Sequence, residues 1–236
     1  MPQHPVYGFA HVTWIVGIIG ASIALSLLCR RNLLPYRHIR IALICLLVGG
    51  ELQRYATADI RFPGTLPLNL CNITTWVAVF ACITLAAPAV EFTYFAGIAG
   101  AGVALTTPDM GSALPAAFFV NHGAIILTAS VLVYGRNLRL PARAMWRALG
   151  YFWLYVILIG LFDWRFGVNY FYVVRKPAAP SLLDLFGPWP FYLLGGAATG
   201  LLLYWLLWLP VRLRKVPVEN SREQFEAVAI SHAERS

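Results

Sequence analysis

The sequence predicts an all-α, polytopic membrane helix bundle with seven transmembrane helices, and three observations support this fold class. Hydrophobic residues make up 59% of the 236 residues and charged residues only 12%, with a mean hydropathy of +0.68. A soluble domain of this length does not bury that much apolar surface. Apolar runs of about 20 residues, the length that crosses a bilayer, recur along the chain. Basic residues are gathered in clusters between some of these runs.

The seven helices follow from the positions of the apolar runs. The second and fourth runs are short and contain glycine, so six helices and one re-entrant or tilted segment are an alternative. In chain order the runs are residues 12–29, 41–56, 66–86, 92–107, 115–134, 145–162 and 189–209.

The basic clusters predict the orientation of the bundle. Arginine and lysine residues follow the first run, separate the fifth from the sixth, and follow the seventh, in residues 30–40, 136–147 and 212–215. The positive-inside rule places all three clusters in the cytoplasm, with the N-terminus outside and the C-terminus inside. An odd number of spans is required for this arrangement.

Two parts of the chain differ in character. Residues 1–216 form the predicted seven-helix transmembrane domain, and residues 217–236 form a polar cytoplasmic tail that we predict to be disordered. The net charge of +8 comes mainly from the clusters beside the spans, which gives no reason to expect nucleic acid binding. The expected partners are membrane phospholipids and the expected location is the cell membrane, while the oligomeric state is left open.

Polar residues inside the spans are predicted to gather in the outer half of the membrane. Cys71 and His122 come soon after the predicted starts of the third and fifth helices, and the helical rise puts both roughly 7 to 11 Å below the outer end. Glu51 and Arg54 reach a similar level, and the inner half of each span is expected to be almost uniformly apolar. Cys71 and His122 are either a nucleophile with its general base, or a small filler and a histidine that bonds a neighbouring helix.

The charged residues of this outer cluster also have two interpretations. Glu51 and Arg54 stand three residues apart on one helical face and can pair, or Arg54 can receive a phosphate or carboxylate. Lys176, in the long outer loop, either belongs to an interfacial loop or contacts a lipid headgroup over the site. Its loop is rich in aromatic residues, which suits a position at the membrane interface.

Several motifs together resemble the YwaF family of integral membrane proteins, which is related to the mammalian transmembrane protein 164 acyltransferases. The motifs are LPLNLC, TTPD, FFVNHG and GVNYFYVVRKPAAPSLLDLFGPWPFYLL, and the last, which includes Asn169 and Tyr170, is long and specific. The resemblance implies that Cys71 carries an acyl chain as a thioester while His122 assists. Relatives usually have a histidine at the position of Asn69.

Three functions are therefore considered. The first is a phospholipid acyltransferase or transacylase in which Cys71 attacks a lipid ester, His122 takes the proton, and Asn69 or Asn121 donates to the oxyanion. The second is a small transporter or lipid-binding protein, and the third is a lipid hydrolase that uses the same cysteine and histidine with water. The site is predicted to comprise Cys71 and His122 as catalytic residues, with substrate-binding residues Glu51, Arg54, Asn69, Asn121, Asn169, Tyr170 and Lys176. We predict neither a metal site nor a cofactor, because the other histidines show no ligand spacing with His122.

Overall fold

The fold is an α-helical bundle with one short pair of strands. The structure is a computed structural model that describes residues 3–5, 7–108, 113–138, 140–177 and 181–214. Within these ranges the prediction of an all-α fold is confirmed. Strand β1, Gln3–Pro5, pairs antiparallel with β2, Ala113–Pro115, so that the chain before the first helix lies beside the chain before the fifth. The predicted tail, residues 217–236, lies outside the described residues.

Seven helices of 15 residues or more are present in the described part of the chain, and each overlaps one predicted run. A short 3-10 helix, Leu182–Phe186, precedes the last of them. The seven are α1 Phe9–Arg30, α2 Tyr36–Thr57, α3 Leu70–Thr84, α4 Ala87–Thr106, α5 Ala116–Tyr134, α6 Ala142–Phe166 and α7 Phe191–Leu213.

Five of these helices, α1, α4, α5, α6 and α7, are long and apolar enough to cross a membrane. The other two fall short for different reasons: α2 contains several charged residues, and α3 has only 15 residues. Helix α2 has 22 residues and α4 has 20. The count of seven spans and their orientation stay predictions.

Three helix starts differ from the sequence prediction. The chain before α3 stays extended past Pro67, since a proline disfavours helix at the residue before it, and the helix begins only after Asn69. In α4 the helix starts before the predicted run because Pro88 fits the first turn, where no backbone donor is needed. In α2 the first turn contains charged residues that a hydropathy search leaves out.

The core lies around α4 and α5. In their most apolar windows 61% and 56% of the residues are buried, compared with 11% to 22% in α1, α6 and α7. Helix α5 contacts α1, α2, α3 and α4, and α4 contacts α3, α5, α6 and α7. A π turn at Thr93–Gly97 interrupts α4, and Gly97 there lets Ile125 of α5 approach closely. The outer helices leave large apolar side chains exposed, as expected for surfaces that face lipid.

The two ends of the bundle carry different residues. We call the end where α2 finishes and α3 begins the Cys71 end, and the end where α1 finishes and α2 begins the arginine end. In the predicted orientation the arginine end faces the cytoplasm.

Candidate functional site

Cys71 lies in the first turn of α3. Asn69 is the N-cap residue, and its carbonyl accepts the backbone N–H groups of Asn72 and Ile73 at 3.0 and 3.2 Å. Cys71 is thus the second residue of the helix, where the first backbone N–H groups have no acceptor within the helix and the helix dipole is positive. The thiol therefore lies beside backbone donors that the helix itself does not use.

Two tyrosines hold the segment that leads into α3. Tyr155 of α6 donates a hydrogen bond to the carbonyl of Leu68 at 2.9 Å. Tyr170 donates to the carbonyl of Pro63 and accepts from the N–H of Leu66, both at 2.6 Å. Tyr155 also lies close enough to interact electrostatically with the thiol of Cys71. The position of Cys71 therefore depends on contacts from α6 and the loop that follows it.

Glu51 joins α2 to α3 beside this cysteine. Its side chain is almost fully buried, and Arg54 donates to Oε2 through Nη2 at 2.7 Å and Nε at 3.2 Å. The other carboxylate oxygen, Oε1, accepts from Nδ2 of Asn72 at 3.1 Å. The predicted pairing of Glu51 with Arg54 is confirmed. Asn72 was not among the predicted site residues, because nothing in its spacing indicates a contact with a residue 21 positions earlier.

Asn121 and His122 approach the same part of α2 from α5. Gly50 faces the side chain of Asn121 so closely that an added Cβ would stand 3.1 Å from Cγ and nearer still to Oδ1. The ring of His122 stacks at a tilt on Phe118, and its Nδ1 lies 2.8 Å from the carbonyl oxygen of that residue. A carbonyl can only accept, so Nδ1 carries the proton and Nε2 carries the lone pair of the neutral ring.

The neighbours of both predicted catalytic residues therefore meet at two consecutive residues of α2. Asn72, which follows Cys71, bonds to Glu51, and Asn121, which precedes His122, packs on Gly50. Cys71 also packs against a cluster that contains Leu47, Ala78, Val79, Ala101, Ala124 and Ile125, and Ile125 stands about one turn from His122 on α5. Helices α2, α3 and α5 thus bring the two segments to one level at the Cys71 end.

The other predicted substrate-binding residues have mostly structural partners. Asn169 closes its loop, since its Oδ1 accepts from the backbone N–H groups of Val174 and Arg175 and its Nδ2 donates to the Arg175 carbonyl. Tyr170 is the link between loops described above, and burial raises the pKa of its phenol. Asn69 is exposed at the start of α3. Their binding roles stay predictions.

Lys176 forms an ion pair with Asp184, at 3.2 Å between Nζ and Oδ1. The backbone N–H of Ser181 and the Lys176 ammonium together hold the pKa of the Asp184 carboxyl below its usual range. The same carboxyl caps the 3-10 helix before α7. Lys176 therefore ties the two halves of the long loop together.

A pocket of about 580 Å³ opens beside this loop. It combines residues of the connection between α2 and α3 with those of the connection between α6 and α7, and Arg175 and Lys176 supply positive charge. Its lining residues are Gly64, Gly167, Val168, Asn169, Tyr172, Arg175, Lys176 and Pro177. A second, apolar pocket of about 200 Å³ lies between α6 and α7. In the described part of the chain, Cys71 and His122 line neither pocket.

The half of the bundle at the arginine end, which is the inner half in the predicted orientation, is not uniformly apolar. Glu91 of α4 is fully buried and bonds through both carboxylate oxygens to Arg147 of α6, with 3.0 Å between Arg147 Nε and Oε2. One turn away the hydroxyl groups of Tyr94 and Tyr134 lie 2.6 Å apart. The predicted fourth span begins after Glu91, because a carboxylate without a partner is too costly in lipid. Its partner Arg147 lies far along the chain, so no local pattern indicates the pair.

One buried histidine was also missed. His11 accepts the N–H of Tyr7 at Nδ1 and donates through Nε2 to the Leu105 carbonyl at 2.8 Å, so both ring nitrogens have structural partners. Among the residues the structure describes, no three His, Cys, Asp or Glu side chains are grouped so that they could hold a metal ion. Asp109 of the TTPD motif lies outside the described residues.

Comparison with known proteins agrees with a membrane location. The model of the TMEM164 family matches residues 6–209, most of the chain. No curated protein and no solved structure matches the chain. The match confirms the predicted relation to transmembrane protein 164, while the YwaF assignment stays a prediction. With its apolar helices, the chain is an integral membrane protein and belongs to the TMEM164 family.

Proposed function

We propose that this protein is a phospholipid acyltransferase that works through a thioester on Cys71, with His122 as the general base. The observation that carries the proposal is the meeting of α3 and α5 at Gly50 and Glu51, which brings the segments of Cys71 and His122 to one level. The family relation supports the same pair, because the resemblance implies a cysteine acyl carrier assisted by a histidine.

The chemistry uses the protonation state of each side chain. Nε2 of His122 takes the proton of the Cys71 thiol, and the thiolate attacks the carbonyl carbon of a lipid ester. The ester C–O bond breaks, and the lysophospholipid oxygen leaves with that proton. An acceptor hydroxyl then gives its proton to Nε2 of His122 and attacks the thioester carbon, the C–S bond breaks, and the sulfur of Cys71 takes that proton from His122. The backbone N–H groups at the start of α3 are suited to stabilise the oxyanion, since they point away from the helix.

The lipid headgroup is assigned to the pocket beside the long loop. Arg54 is engaged by Glu51, which makes it a weaker candidate for a phosphate contact than the sequence suggested. Arg175 and Lys176 line a pocket of about 580 Å³, a size within the usual range of small-molecule sites. A phosphate there would meet Arg175, and Lys176 as well once it leaves its ion pair with Asp184, while the acyl chains would remain in the bilayer.

The test is acyl labelling of purified protein in lipid bilayers. Wild-type protein should acquire an acyl label that hydroxylamine removes, Cys71→Ala should acquire none, and His122→Gln should label about 10² to 10⁴ times more slowly. Cys45→Ala is the matched control, because Cys45 is a free cysteine on the exposed side of α2. Equal labelling of Cys71→Ala and wild type would overturn the proposal. Free fatty acid in place of acylated lipid would instead identify a hydrolase.

A transporter is the second candidate, and the buried Glu91–Arg147 pair favours it. A transport path needs polar groups across the thickness of the membrane, and this pair supplies them in the half that the sequence left apolar. Flux of an anionic lipid or solute in proteoliposomes should then persist in Cys71→Ala and fall in Glu91→Gln. If flux is absent in wild-type protein, the transporter is excluded.

A further inference from the structure

At the arginine end, the buried Arg40 and a second arginine both lie over the ring of Tyr36. Arg40 of α2 is only 9% exposed, and its guanidinium carbon lies 5.3 Å from the centroid of the Tyr36 ring. Arg136, just after α5, lies over the same ring at 4.7 Å. The Nε and Nη1 atoms of Arg40 and the Nε of Arg136 are buried with no hydrogen-bond partner in the described protein.

A third arginine contacts the residues at the end of α5. Arg214, at the end of α7, lies 4.1 Å from the centroid of the Tyr134 ring and donates through Nη1 to Oδ1 of Asn137 at 3.3 Å. Its Nε and Nη2 are buried and have no partner in the described residues. Asn137 directly follows Arg136, but the groups that interact electrostatically with Arg214 are Tyr134, Tyr94 and Arg30, so Arg214 is a neighbour of the Arg40–Arg136 pair rather than part of it.

No carboxylate of the described residues neutralises these charges. The groups that interact electrostatically with Arg40 are Tyr36, Cys82, Arg136 and Arg37, and the ion pairs of the described residues involve none of Arg40, Arg136 and Arg214. An arginine does not lose its proton in a protein, so these side chains stay charged although they are buried. A buried charge without a partner is strongly destabilising, and a cluster of such charges calls for an anion.

We propose that Arg40 and Arg136 form a binding site for a phosphate group. Guanidinium forks match the oxygens of a phosphate, and three nitrogens of these two arginines, Nε and Nη1 of Arg40 and Nε of Arg136, are buried without a hydrogen-bond partner in the described residues. Arg40 is the fifth residue of α2, so it lies about 6 Å along the helix axis from the first residue. If α2 begins at the membrane surface, Arg40 is at the depth of the lipid headgroups. The phosphate belongs either to an anionic phospholipid or to a soluble phosphate compound.

The site is separate from the proposed acyl-transfer site. Glu51 comes eleven positions after Arg40 in α2, or about 16 Å along the helix. The two sites therefore lie at opposite ends of the bundle, and failure of one proposal leaves the other intact.

The test measures anion binding by the full chain in an uncharged detergent, from the shift in its thermal unfolding followed by tryptophan fluorescence. Short-chain phosphatidylglycerol, short-chain phosphatidylcholine and sodium pyrophosphate are the three probes. Wild-type protein should bind phosphatidylglycerol or pyrophosphate in preference to phosphatidylcholine. Arg40→Gln and Arg136→Gln should each weaken that binding about tenfold to a hundredfold. The exposed Arg212 provides the control, Arg212→Gln, which should bind as wild type does.

The outcomes separate the two sources and the structural explanation. Binding of phosphatidylglycerol alone identifies a lipid headgroup, whereas binding of pyrophosphate, or its competition with lipid, identifies a soluble phosphate. Without any anion, Arg40→Gln should unfold at the same or a higher temperature, because it removes an uncompensated buried charge. A lower unfolding temperature with unchanged anion binding would show a merely structural arginine and overturn the site. Equal binding of all three probes would also overturn the site. If Arg40→Gln does not fold, the binding by Arg136→Gln and the comparison of the three probes on wild-type protein test the proposal.

Discussion

The contact between α2 and α5 at Gly50 makes a prediction that can be measured directly. A Cβ added at Gly50 would stand 3.1 Å from Cγ of Asn121, where ordinary contacts begin at about 3.4 Å, and nearer still to Oδ1. Either Asn121 leaves its rotamer or the two helices separate. Overpacking of this kind costs about 1 to 3 kcal/mol. Gly49, the next residue on α2, has nothing within 4 Å of an added Cβ.

The two alanine variants isolate the cost of the contact. Replacing a helical glycine with alanine gains up to about 1 kcal/mol of helix propensity, and Gly49→Ala should show only this gain. Gly50→Ala has the same gain but also the clash, so its free energy of unfolding should be about 1 to 3 kcal/mol below that of Gly49→Ala. Unfolding in mixed micelles measures both. Asn121→Ala combined with Gly50→Ala should restore most of the difference.

Acyl labelling adds a functional measurement to the same variants. If the α2–α5 contact sets the position of His122, Gly50→Ala should label more slowly than Gly49→Ala even where both are folded. Equal stability of Gly50→Ala and Gly49→Ala, with no effect of Asn121→Ala, would refute the close contact and the geometry based on it.

Two further predictions concern charged pairs. Glu91→Gln leaves the guanidinium of Arg147 without its carboxylate. Breaking a fully buried pair costs about 3 to 5 kcal/mol, and because the Arg147 side chain is 35% exposed, the free energy of unfolding should fall by about 2 to 3 kcal/mol. A double-mutant cycle with Arg147→Met should show coupling of the two residues, and additive effects would contradict it. The Asp184 carboxyl, held ionised by the N–H of Ser181 and by Lys176, should titrate below 3.8 in a ¹³C NMR experiment. Its contribution to the capped turn is complete above the unfolded-state pKa and is lost as the pH falls through the lowered folded-state value, and Lys176→Met should raise that value only partly.

The sequence predicted the fold from signals that are local in the chain. Apolar runs identified all seven helices, and the spacing of three residues was enough to predict the pairing of Glu51 with Arg54. Boundaries were less accurate where a local signal competed with hydropathy. Helix α3 begins later than predicted because of Pro67. The first turn of α4 was left out of the predicted run because Glu91 is charged, and its partner, 56 residues away, could not be recognised.

The candidate site was predicted only in part, since its contacts join residues far apart in the chain. The levels of Cys71 and His122 were estimated from the helical rise, although α3 begins four residues later than assumed. The structure relates the two through α2 instead, by way of Asn72 and Asn121. Tyr155, which fixes the approach to Cys71 from α6, could not have been found without the packing of the helices.

The composition of α2 has a consequence for how the protein enters the membrane. Its charged residues Arg37, Arg40, Glu51 and Arg54 oppose insertion, by about 2.5 to 3.5 kcal/mol for an arginine at the helix centre and less near the ends. Glu51 gains a partner on another helix only when α3 is present. We expect α2 and α3 to enter lipid together as a hairpin, so a nascent chain that ends within α2 should remain accessible to water-soluble thiol reagents at Cys45.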